Sequence, residues 1–210
     1  SGLGSSSSLV VGLFLIFNKR NKLNLSKKEL IKRASEFEIS KISKSIGKQD
    51  HYASFYGGFN YIKFYKSQNV TINKIKNKNF KKKLDESSLF FWTGIQRSAN
   101  KVLEAQRKDR KNANEILLEI RNIAEQVNNK LIKNKISLEE FGEYLNKTWV
   151  LKRKLSKNVS NEKLDLIYEK CLKIGALGGK ILGAGGGGFM FILAKKKYHQ
   201  RIIQEMKKKW

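Results

Sequence analysis

Eight glycines fall within fourteen residues in Gly175-Ala-Leu-Gly-Gly-Lys-Ile-Leu-Gly-Ala-Gly-Gly-Gly-Gly188, and an apolar run, Phe189-Met-Phe-Ile-Leu193, follows at once. A simple turn needs one or two glycines. This density calls for backbone conformations or close approaches that side chains would block. Two uses fit, a cradle of backbone N–H groups around a phosphate and a tight packing turn, and the glycine count favours the cradle. The apolar run reads as a strand and the basic stretch that ends at Trp210 as a helix.

A second glycine-bearing loop opens the chain, Ser1-Gly-Leu-Gly-Ser-Ser-Ser-Ser8, and feeds the apolar run at 9–17. Such a junction binds anions. Glycines admit a close phosphate, unpaired N–H groups and the helix dipole favour negative charge, and serine hydroxyls reach a phosphate oxygen or a magnesium ion. It is not the Walker pattern, which needs a lysine after the second glycine. The run at 9–17 is too short to span a bilayer and no basic region precedes it, so it is expected to be a buried helix. No membrane association is expected.

Ser26 with Glu29 three residues on is a capping box, and Leu30, Ile31, Ala34 and Phe37 continue it at helical spacing, closing on Glu36 and Glu38. A carboxylate at a helix end is usually solvated; a metal ligand is the sharper alternative for Glu38. Asp50 is the one acid in Gly47-Lys-Gln-Asp-His-Tyr-Ala-Ser-Phe-Tyr-Gly-Gly58. It is either an N-cap for the turn over 52–56 or a catalytic group. Phe59 to Tyr65, Val70 to Ile75 and Ser88 to Thr93 read as strands. Helices are expected over 97–106, 112–131, the segment opened by the Ser137/Glu140 capping box, and 162–174. Ile116, Leu117, Ile120, Ile123, Ala124, Val127 and Leu131 are expected to form a core stripe.

With 210 residues and 40% hydrophobic content, the chain suffices for one globular unit or two small ones. The single cysteine, Cys171, excludes an internal disulfide framework and points to a reducing compartment, the cytoplasm by default. A formal charge of +26, from 44 Lys and Arg against 18 Asp and Glu, would suit a polyanion. Yet the basic residues are spread along the chain, Lys far outnumbers Arg, and no nucleic-acid module is present. Drift toward AT-rich codons accounts for the charge, and no nucleic-acid partner is expected.

The loop at 1–8, Gly47-Lys-Gln-Asp50 with Gly57-Gly58, and Lys180-Ile-Leu-Gly-Ala-Gly-Gly-Gly-Gly-Phe189 together resemble, in order and spacing, the motifs of the GHMP kinases. Within that family, Gly47-Lys-Gln-Asp-His-Tyr-Ala53 and Thr93-Gly-Ile-Gln-Arg-Ser-Ala99 look most like the heptose 7-phosphate kinases. The resemblance implies an α+β fold, with a partial ribosomal-S5-like domain over 1–93 and a ferredoxin-like domain over 94–210. It implies ATP and Mg²⁺ as cofactors and a phosphorylated sugar as acceptor, and it leaves a homodimer open. Gly2, Leu3, Gly4, Ser5, Ser6, Ser7 and Ser8 would hold the ATP phosphates, with Ser6 and Glu38 on the magnesium side. Asp50 would orient or deprotonate the sugar hydroxyl. Gly183, Gly185, Gly186 and Gly187 would flank the transferring phosphate, and Lys48, Gln49 and Arg97 would contact the sugar substrate.

Three departures qualify the likeness. The family's region before the first glycine-serine loop and its strand after the last helix have no counterpart here, so a chain truncated at both ends is expected. The proline that usually precedes Gly-Lys-Gln-Asp is replaced around Ser45, in a sequence with no proline. The reading from another class is a non-catalytic basic anion-binding module, and galactose or fucose are the alternative acceptors.

Overall fold

The computed structural model describes residues 2–42, 46–96, 102–103 and 110–208. The chain divides into two compact units, Leu3–Ile75 and Lys76–Trp210.

The first unit is built from three helices and a hairpin. Helix α1 (Ser5–Arg20) starts at Gly4, and α2 (Lys27–Glu36) starts where the capping box places it, Ser26 Oγ accepting from the Glu29 N–H at 3.2 Å. A π-turn, Phe37–Lys41, extends α2. Helix α3 (Gln49–Tyr56) is followed by β1 (Asn60–Phe64) and β2 (Val70–Lys74), antiparallel with Ile62 opposite Ile72. Asp50 is the second residue of α3, whose N-cap is Lys48, so Asp50 is not the cap.

The run at 9–17 is helical but not buried throughout. Only Val10 and Val11 are enclosed there, with Ala34 of α2 and against Phe14 and Phe55. Leu9, Leu13, Ile16 and Phe17 are exposed. The helix is apolar around most of its circumference, and α2 and α3 cover one side of it.

In the second unit, β3 (Ser88–Trp92), β5 (Phe189–Ala194) and β4 (Ala176–Ile181) form an antiparallel sheet in that order. Hydrogen bonding along β5 therefore ties β3 to this sheet, whereas the sequence reading places 88–93 at the end of the first domain. Met190, Ile192 and Ala194 face a core with Leu164, Ile167, Tyr168 and Cys171 of α7 (Glu162–Ile174) and Ile202 and Met206 of α8 (His199–Lys207). The other face pairs Phe90 with Phe191 and Trp92 with Phe189, ring centroids 5.3 and 5.2 Å apart. Helix α4 (Lys78–Glu86) precedes β3. This is the α+β architecture expected.

Helix α5 (Arg110–Ile132) turns Ile123 and Leu131 inward but leaves Leu117 and Ala124 exposed, so the inward stripe is narrower than the sequence suggests. Helix α6 (Leu138–Lys154) begins at the second capping box, Ser137 Oγ accepting from the Glu140 N–H at 3.0 Å. It meets β4 backbone to backbone. A Cβ on Gly142 would stand 2.4 Å from Leu177 Cβ and 2.7 Å from Leu177 O. Alanine at Gly142 would gain about 1 kcal/mol in helix propensity, but overpacking costs about 1–3 kcal/mol and the obstacle here is backbone. Gly142→Ala is expected to lose about 2 kcal/mol net, read as a lower urea midpoint at unchanged slope.

Cys171 is fully buried, and that burial pushes its thiol up to about 11. A thiol reagent at pH 8 is expected to leave it unmodified in the folded chain and to react stoichiometrically in denaturant. Among the described residues, no helix is long and apolar enough to cross a membrane.

Candidate active site

The site grows from the start of α1. Gly4 sits at φ +67 and makes no side-chain cap, so the first-turn N–H groups of this 16-residue helix have no partner within it. Its first turn carries no acid while its last carries Lys19 and Arg20, leaving the positive end of the dipole available to an anion.

Two of the serines that follow turn to one carboxylate. Ser6 Oγ donates to Glu38 Oε1 at 2.5 Å and Ser7 Oγ to Oε2 at 2.8 Å. Glu38 is wholly buried; it follows Ile31, Ala34 and Ser35, buried residues of α2, at helical spacing and lies in the π-turn that extends the helix. His51, also fully buried, brings Nε2 to 2.8 Å from Glu38 Oε2. That is pairing distance, but off the line of a well-formed ring N–H hydrogen bond. A carboxylate this enclosed requires such partners, because an uncompensated buried charge is costly.

Asp50 lies against the same loop. A Cβ on Gly4 would sit 3.3 Å from Asp50 Cβ and 3.5 Å from its Oδ2, so the half-buried carboxylate packs in close contact with the helix start, where the positive φ of Gly4 favours glycine. Ser54 Oγ donates to the Asp50 carbonyl at 2.7 Å and lies 2.7 Å from Ser8 Oγ, fastening α3 to α1. Ser6, Ser7, Glu38, Asp50 and His51 thus meet within the first unit. Leu3 and Ser5 are exposed neighbours on the loop.

Magnesium takes hard oxygen ligands and commonly uses one or two carboxylates with waters and phosphate oxygens. Among the described residues no group of three or more His, Cys, Asp or Glu could form an all-protein cage. A single buried carboxylate flanked by two hydroxyls fits an ion of that habit. Glu38 and Ser6 are the residues that would hold it.

The second glycine loop is shaped by packing within its own unit. A Cβ on Gly185 would stand 2.7 Å from Val159 O, and one on Gly187 2.5 Å from Ile95 O. The Gly186 and Gly188 N–H groups are engaged by those two carbonyls at 2.7 and 2.9 Å. Thr93 Oγ1 donates to Gly188 O at 2.7 Å. Gly183 differs, since it is exposed and its carbonyl accepts from Lys152 Nζ. Lys48 and Gln49 stand at the start of α3, next to Asp50. Arg97 lies outside the described residues.

Sequence reasoning missed His51, whose only local signal is its place after Asp50 in a short motif. It also missed the hairpin turn beside Lys48, described below.

Helices with a small antiparallel sheet in each unit, and a serine-lined helix start within the first unit, accord with the build of the GHMP kinases. The chain belongs to that family: residues 1–58 match the GHMP kinases N terminal domain and residues 128–210 the GHMP kinases C terminal domain. It is 35% identical, over 99% of its own length and 62% of the other's, to a D-glycero-alpha-D-manno-heptose 7-phosphate kinase of Campylobacter jejuni. A mevalonate kinase of Thermococcus gammatolerans is 28% identical over 94% of this chain and 57% of its own. Among solved structures, a putative sugar kinase from Campylobacter jejuni superposes with a TM-score of 0.66 at 31% identity, over 99% of this chain and 60% of that one. The chain thus spans about six-tenths of the length of these relatives.

Proposed function

We propose that this chain carries the catalytic segment of an ATP-dependent sugar kinase. The reaction transfers the γ-phosphoryl group of ATP to the anomeric hydroxyl of a heptose 7-phosphate, giving a heptose 1,7-bisphosphate. The observation that carries the reading is the meeting of Asp50 with Gly4 at the open start of α1, beside the buried Glu38 held by Ser6 and Ser7. The likeness to the heptose 7-phosphate kinase supports the acceptor.

Phosphoryl transfer asks a protein mainly to position the reactants and to neutralise charge on the phosphate oxygens. The first-turn N–H groups of α1 supply donors to those oxygens, and the helix dipole adds to them. A bound Mg²⁺ would neutralise the donor phosphates; Glu38 and Ser6 are the residues that would hold it, while Ser7 and His51 would fix the Glu38 carboxylate. Asp50 accepts the proton of the sugar hydroxyl as its oxygen bonds to phosphorus and the bond to the bridging oxygen of ADP breaks. Its place against Gly4 sets that proton acceptor close to the phosphate-facing loop.

The test is phosphorus NMR of the product made from ATP and Mg²⁺ with heptose 7-phosphate and mevalonate offered as competing acceptors. A new resonance coupled to the anomeric proton supports the reading. Phosphate appearing only on mevalonate, an acceptor the Thermococcus gammatolerans likeness favours, would replace the acceptor and keep the chemistry.

A further inference from the structure

An open cleft of about 390 Å³ lies beside the catalytic segment, within the first unit. One wall is Lys48 and Gln49, immediately before Asp50, and the other is the turn of the β1–β2 hairpin, contributing Tyr65, Gln68 and Asn69. The turn is closed by Tyr65 N–H to Asn69 O at 2.9 Å and by Gln68 N–H to Tyr65 O at 3.0 Å. Lys48 Nζ donates to Gln68 Oε1 at 2.9 Å and so joins the two walls.

The lining chemistry is one-sided. Among the described residues, one ammonium, three side-chain amides and a phenol line it, and no Asp or Glu does. Lys48 has three N–H donors and gives one to Gln68, leaving two for a ligand. Phe64 and Val70 add apolar surface to the lining, of the kind that carries the C–H face of a sugar. The volume falls in the usual range for a small-molecule site. Gln68 stands at φ +64, a left-handed conformation that glycine adopts without strain and that costs a longer residue about 1–2 kcal/mol. The strained position bears a long amide, and that amide reaches Lys48. The cleft is also fixed relative to Asp50, because the Phe64 ring packs edge-on against Tyr52 of α3, centroids 5.3 Å apart.

We infer that this cleft seats the phosphate end of the phosphorylated acceptor, with Lys48, Gln68, Asn69 and Tyr65 as its donors, so that the hairpin turn selects a sugar phosphate over the free sugar. The inference rests on the sugar-kinase reading above. It places the phosphate on residues of the first unit, among them Lys48, which the family resemblance sets against the sugar substrate.

Two measurements on the 210-residue chain test it separately from turnover. Side-chain amide resonances of Gln49, Gln68 and Asn69 are followed while heptose 7-phosphate or the unphosphorylated heptose is added. They are expected to shift with the first and not with the second; no shift, or equal shifts, would overturn the assignment. The Gln68→Gly variant, which relieves the backbone strain and so keeps the turn folded, is expected to bind heptose 7-phosphate about tenfold more weakly. Unchanged affinity in that variant would also overturn it. Phosphate-selective binding without any ADP release would refute the kinase reading and uphold the cleft. Phosphorylation of the sugar phosphate at an unaltered KM in Gln68→Gly would do the reverse.

Discussion

Asparagine at Asp50 is expected to lower the rate of phosphoryl transfer about 100-fold to 10,000-fold, the range a positioned general base contributes. The loss should appear in kcat with little change in the KM for ATP, since the variant keeps the size of the side chain and its contact with Gly4. The thermal midpoint is expected to stay within a degree or two, because the half-buried carboxylate is not part of either core cluster. A variant that retained near-native rate would remove Asp50 from the chemistry. Steady-state kinetics beside a thermal melt decide the point.

Replacing Glu38 acts on both stability and activity. Glu38→Ala deletes the acceptor of two serine hydroxyls and the neighbour of a fully buried histidine. Polar groups left unsatisfied in the interior cost about 1–3 kcal/mol, so a lower melting temperature is expected together with a rate loss of about 100-fold or more. Glu38→Gln separates the two effects. It restores a hydrogen-bonding side chain of the same shape without the negative charge, so the fold should recover while the rate stays low. The Mg²⁺ concentration for half-maximal rate should rise in the glutamine variant. An unchanged metal requirement would take Glu38 out of the ion's coordination.

The parts of this molecule that were legible in its sequence are those set by local rules. Ser26 with Glu29 and Ser137 with Glu140 predict two helix starts because a capping box closes within four residues. Four of the five strands among the described residues were readable from short apolar runs, while β4 lies inside the glycine run and was not. The enclosure of Glu38 was not. Helical spacing puts Glu38 on the face of Ile31 and Ala34, but the two serines that hold its carboxylate lie 31 and 32 positions away. Exposure was equally hidden at Leu9, Leu13 and Leu117, since periodicity shows which residues share a face but not what covers it. The glycine run illustrates a further limit. Its composition suggested a phosphate cradle, yet Gly185 and Gly187 are also demanded by carbonyls of Val159 and Ile95 pressed against them. Distant packing of that kind leaves no trace in spacing. The cleft at Lys48 was half visible, as Lys48 and Gln49 stand beside Asp50 in a motif, while Gln68 comes to them only through the fold.

The proposed role of Asp50 and Glu38 is in sugar phosphorylation. The direct test measures ADP release from ATP and Mg²⁺ with and without heptose 7-phosphate, for the chain alone and for the chain joined to the part of the Campylobacter jejuni relative that it does not span. ADP release that depends on heptose 7-phosphate and is abolished by Asp50→Asn is the predicted result. No acceptor-dependent ADP release in either form, or release indifferent to Asp50, would contradict the account.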